Sequence, residues 1–118
     1  MKEVLRSLPS VVANHIAAYN AKDPQGLLAT FWNDALLNDA QREFIGHEAI
    51  GAWANHEIFA PNVTMEVETA REHHGNVIVS AKLDGDFDKT NLPDPLILHY
   101  YFVIVDDLIA QLFIIHNK

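Results

Sequence analysis

Asp39 is the carboxylate best placed for acid–base chemistry. It ends a short apolar run, Ala35-Leu36-Leu37-Asn38-Asp39, just before a polar turn. A base that removes a proton next to a carbonyl must be ionised, partly desolvated and within hydrogen-bond reach. The end of a strand facing a pocket meets those needs. His15 lies one helical turn before Tyr19, so the two share a face. A neutral His15 could donate to an oxygen that gains charge. Tyr100 is a phenol in an apolar strand and needs a partner for its hydroxyl, which makes it the second candidate donor. Asp39, His15 and Tyr100 are the candidate catalytic set, and they work together only if they border one cavity. Tyr19, Phe31, Trp53 and Phe102 are the candidate lining of a ligand pocket. Each residue also has a plainer reading: a turn aspartate, a satisfied buried histidine, core aromatics.

Other chemistries find little support. The chain has no cysteine, which removes disulfides, thiolate metal sites and cysteine nucleophiles. His47 and His56 flank Trp53 nine residues apart, so they are not the i, i+4 pair of a helical metal site. His73-His74 falls in a turn. No metal site and no cofactor are expected. There is no phosphate-cradling glycine loop, and Ser7, Ser10 and Ser80 sit in no nucleophile-elbow context.

The elements that must position these residues follow from periodicity. Leu5, Leu8, Val12, Ile16 and Tyr19 recur at helical spacing and predict a helix ending near Ala21. Asp23-Pro24 restarts a helix as N-cap and first residue, with Leu27, Leu28, Phe31 and Trp32 inward. Asn33-Asp34 closes it. A strand over 35–39 and a partner over 43–45 follow, and Gly46 opens a third helix over 47–59. Strands are predicted over 63–69, 77–83, 96–105 and 108–115, with an exposed Asp-, Gly- and Pro-rich loop over 84–95. Helices and strands are segregated, which predicts an α+β domain spanning residues 1–118, its helices on one face of an antiparallel sheet. Both faces of strand 96–105 are apolar. A half-solvated strand would alternate with polar residues, so a second copy of the chain is expected on the outer face.

A formal net charge of −8 argues against a nucleic acid partner, which needs a basic face, and against an anionic membrane. The first residues lack a continuous apolar segment, so a cytoplasmic location is expected.

The stretch VVANHIAAYNAKDPQGLLATFWNDALLND, then FIGHEAIGAW and LILHYYFVIVDDLIAQLFI, resembles nuclear transport factor 2-like proteins of the SnoaL-like and ketosteroid isomerase-like branch. The resemblance implies a cone-shaped fold, a curved sheet wrapped round helices with a pocket at the open end. Ketosteroid isomerase-like enzymes place a Tyr on the first helix, an Asp base on the first strand and an Asp on a later strand. By the flanking residues these fall on His15, on Asp39, and on or near Tyr100. The base position is kept and both donors are altered, which implies a different substrate or lost activity. Two function classes follow. One is a cofactor-independent isomerase, cyclase or dehydratase acting on a small apolar molecule. The other is a non-catalytic ligand-binding or structural homodimer.

Overall fold

Three hairpins close on two-residue turns whose residues both have left-handed backbones: Ala40-Gln41, His74-Gly75 and Asp106-Asp107. Such turns match the right-handed twist of the strands they join and fix their register. The computed structural model describes residues 8–116. Helix α1 is Ser10–Ala21, α2 Pro24–Leu28, and α3 Gly46–Ala54, which runs into a π-helical segment at Asn55–Phe59. The strands are β1 Phe31–Asp39, β2 Arg42–Ile45, β3 Thr64–His73, β4 Asn76–Asp84, β5 Leu96–Val105 and β6 Leu108–His116. They form one six-stranded sheet in the order β2-β1-β6-β5-β4-β3. The described residues thus form a mixed α+β fold of three helices and a curved sheet.

Local signals set the helix ends. Pro9 is the N-cap of α1, and Leu5 lies outside the described residues. Lys22 adopts the left-handed conformation (φ 58°) and stops the helix. Asp23 caps α2 by accepting from Gly26 N at 3.0 Å. Gly46 has φ 87° at the junction of β2 and α3, where a side chain would be strained.

Two expectations need correction. Phe31 and Trp32 belong to β1, not to α2, which stops after five residues. β-branched and aromatic neighbours do not distinguish a short helix from a buried strand, and here pairing with β6 decides. The sheet is also not wholly antiparallel. β1 runs parallel to β6, with Phe31 opposite Ile109 and Asp39 opposite Ile114. The small β1–β2 pair therefore joins the main sheet instead of standing apart.

The core is one cluster of buried apolar side chains drawn from the helices and the sheet. Val12, Leu27, Leu37, Ile50, Val79, Phe102 and Ile109 are fully buried there. Burial of each large apolar side chain contributes about 1.5–3 kcal/mol. The outer face of β5 and β6 is only half-covered: Tyr101, Val103 and Phe113 are partly exposed, and Ile115 is exposed.

Candidate active site

Asp39 is the last residue of β1, and its side chain faces inward and is buried. Two features hold it there. The type I′ turn after it sets Arg42 directly opposite in register. Parallel pairing with β6 brings the end of that strand alongside. Its carboxylate accepts three side-chain hydrogen bonds. Arg42 Nη2 donates to Oδ2 at 2.7 Å and Trp53 Nε1 to the same oxygen at 3.0 Å. His116 Nε2 donates to Oδ1 at 2.8 Å, since a carboxylate oxygen only accepts. Arg42 is shared with Glu57 Oε1 at 3.0 Å, and Glu57 Oε2 in turn meets His56 Nδ1 at 2.6 Å.

The carboxylate borders a cavity of about 320 Å³. Trp53, Ile58, Val63, Leu83, Leu98 and Ile114 supply much of its apolar wall. The loop between β4 and β5 adds Phe87 and Leu92 at the rim. The π-helical segment turns Ile58 into the core while His56 and Glu57 reach the cavity. One wider turn in an otherwise α-helical run commonly marks a site in this way.

Tyr100 and Tyr19 both line the same cavity and are nearly fully buried. Their hydroxyls are hydrogen-bonded to each other. Burial pushes both phenols well above their ordinary range, and the charge of Asp39 pushes the same way. They therefore stay protonated at neutral pH, as donors.

His15 does not border this cavity. Its ring packs edge-on against Phe31 and Phe102, with centroids 5.4 and 5.3 Å away. The Thr30 hydroxyl donates to Leu27 O at 2.6 Å, so His15 Nδ1–H donates to Thr30 Oγ1 at 3.1 Å. Burial lowers the ring's pKa to about 3 and keeps it neutral. The expected trio of His15, Asp39 and Tyr100 is thus not assembled, because His15 lies one turn too far up α1. Tyr19, expected only as lining, stands where the helix reaches the cavity. Trp53 lines the cavity as expected, whereas Phe31 and Phe102 are core residues packed on His15. Trp32 stands in β1, half-buried, and its indole donates to Val105 O at 2.7 Å. His116 had no signal of its own in the sequence. The alternation Leu112, Ile114, His116 places it on the inner face, but only the parallel pairing shows which strand it meets.

A larger groove of about 900 Å³ lies beside α1, α2 and the β5–β6 turn. It is lined largely by small residues, and its charged groups, Asp23 and Asp107, are exposed. Among the described residues no group of three or more His, Asp or Glu is placed to hold a metal ion, and no helix is long and apolar enough to cross a membrane.

No protein-family model and no curated protein matches the chain. Solved structures do. A candidate polyketide cyclase from Sinorhizobium meliloti is 29% identical, with a TM-score of 0.84 over 93% of this chain and 97% of that one. A protein of ketosteroid isomerase-like fold from Catenulispora acidiphila, solved with trimethylamine, is 20% identical (TM-score 0.79, covering 94% and 88%). A nuclear transport factor 2-like protein of unknown function from Cytophaga hutchinsonii is 11% identical (TM-score 0.73, covering 91% and 87%).

Proposed function

We propose that this chain, a member of the nuclear transport factor 2-like superfamily, holds a small apolar molecule in the cavity beside Asp39 and moves a proton on it without a cofactor. In this reading the helices and curved sheet form a cone whose open end is the cavity. The observation that carries the proposal is the placement of Asp39. It is a buried carboxylate with fixed donors, bordering a largely apolar cavity and facing the same space as the Tyr19–Tyr100 pair. Convergent polar groups in an apolar cavity are what proton transfer next to a carbonyl requires. Asp39 is the centre of the transfer, and the phenols hold the oxygen that gains charge. A carbonyl compound that isomerises, cyclises or loses water fits these parts, and the likeness to a candidate polyketide cyclase supports that class.

The test needs no knowledge of the natural substrate. Nitrobenzisoxazole carries an acidic ring C–H. When a base takes that proton, the N–O bond breaks and a coloured cyanonitrophenolate forms. Acid–base catalysis by a placed group contributes roughly 10²–10⁴-fold, so Asp39→Asn is expected to lower the rate by that factor. A second reading, a non-catalytic binding module, is favoured by one observation. The polar groups of the wall satisfy one another: Asp39 has its donors and the two phenols have each other. Probe binding without any turnover would establish that reading instead.

A further inference from the structure

Three donors hold the Asp39 carboxylate, and only one of them exchanges protons readily. An indole N–H and a guanidinium keep their protons, whereas an imidazole takes or releases one at either ring nitrogen. That donor is His116. It ends β6, its side chain is 40% exposed, and it lines the same cavity as Asp39. With Nε2–H directed at Asp39 Oδ1, the lone pair of the neutral ring is on Nδ1. Asp39 is in the opposite situation. It is buried, Oδ2 is engaged twice and Oδ1 once. Arg42 is itself fixed by Glu57. A carboxylate so enclosed is built to orient a neighbour and to stabilise its positive charge, the arrangement of a nucleophile's or substrate's base backed by a third group.

Resting on the acid–base reading above, we infer that Nδ1 of His116 is the atom that takes the substrate's proton, and that Asp39 is the positioning residue behind it. The substrate C–H bond breaks and its electron pair stays on the substrate, delocalised onto the oxygen that faces Tyr19 and Tyr100. The proton ends on Nδ1, and the imidazolium is held by Asp39 through Nε2–H. In an isomerisation the imidazolium returns the proton to another carbon of the substrate. In an elimination the electron pair leaves with the broken bond, as with N–O in the probe, and the proton passes from His116 to solvent, which the exposure of the ring permits.

The experiment compares His116→Gln, His116→Ala and Asp39→Ala with the wild-type chain in nitrobenzisoxazole turnover, after circular dichroism confirms folding. Glutamine retains an N–H for Asp39 but cannot take a proton, so a merely structural His116 is replaced by it. We expect His116→Gln to lose roughly 10²-fold or more. Added imidazole should restore His116→Ala by tenfold or more, and acetate should fail to restore Asp39→Ala. The inference is overturned if His116→Gln keeps the wild-type rate within threefold. It is equally overturned if acetate restores Asp39→Ala while imidazole leaves His116→Ala unchanged, since Asp39 is then the base. A wild-type chain with no turnover at all overturns the acid–base reading and the inference with it.

Discussion

Replacing His15 by leucine should make the protein markedly more acid-resistant than the wild type. The ring is 3% exposed and its pKa is lowered by burial from 6.5 to about 3. An unfolded chain therefore takes up a proton at His15 below about pH 6.5, while the folded chain cannot until about pH 3. The folded state keeps its full stability above that window and loses it as the pH falls through it. At pH 5 the penalty is about 2 kcal/mol, and at pH 7 about 0.2 kcal/mol. Leucine has no such term. At pH 7 the variant loses one buried hydrogen bond, about 1 kcal/mol, partly offset by the gain in apolar contact. Thr30 is not orphaned, because its hydroxyl still donates to Leu27 O. Urea unfolding followed by tryptophan fluorescence at pH 7, 6 and 5 measures the difference. The wild type should lose about 2 kcal/mol more than the variant between pH 7 and pH 5, the other titrating groups being common to both. Parallel pH profiles would show instead that the folded chain protonates His15 as readily as the unfolded one.

Three further outcomes can be checked. We propose that a second copy covers the outer sheet face. Arg71, Ile78, Tyr101, Phe113, Asn38 and Glu43 lie in register across it, basic at one end and acidic at the other, so a two-fold partner sets Arg71 against Glu43. Light scattering at micromolar concentration should give a dimer that Tyr101→Asp splits, and a wild-type mass of 13.3 kDa rules the dimer out. In Gly85→Ala the new Cβ would lie 2.9 Å from Val63 Cα and 3.1 Å from Pro61 O, both backbone atoms. We expect a loss of about 1–3 kcal/mol in urea and weaker probe binding, because this contact seats the loop carrying Phe87 and Leu92; a silent substitution shows the loop is free to move. Tyr100→Phe should slow nitrobenzisoxazole turnover by about 10²-fold while costing only about 1 kcal/mol of stability, and an unchanged rate removes the phenols from the mechanism.

The antiparallel strands were legible because each is an uninterrupted apolar or alternating run between turn residues. Leu96–Val105 and the Asp106-Asp107 turn fall where the sequence puts them. Asp39 was legible for a similar reason, as the polar end of an apolar run. The misses share a cause. Periodicity gives the face on which a residue lies but not its depth along the element. His15 and Tyr19 share a helix face, yet one sits in the core and the other at the cavity. Likewise, nothing in the residues of β1 and β6 announces that they pair in parallel, so the His116 contact with Asp39 was invisible. A sequence pattern records what is apolar, whereas a site forms where distant elements meet.

The parallel pairing also governs the order of events when the chain folds. β1 and β6 are neighbours in the sheet, and the Asp39–His116 contact joins residues 77 positions apart. Closing so long a loop costs entropy before the pairing returns any energy, which places such contacts late and slows folding towards milliseconds or longer. The β3–β4 and β5–β6 hairpins can form locally, but β1 has no partner on its β6 side until β6 exists. A nascent chain halted before Leu108 would hold Asp39, Arg42 and Trp53 and still lack the imidazole. The Asp39–His116 contact is thus among the last features to be assembled.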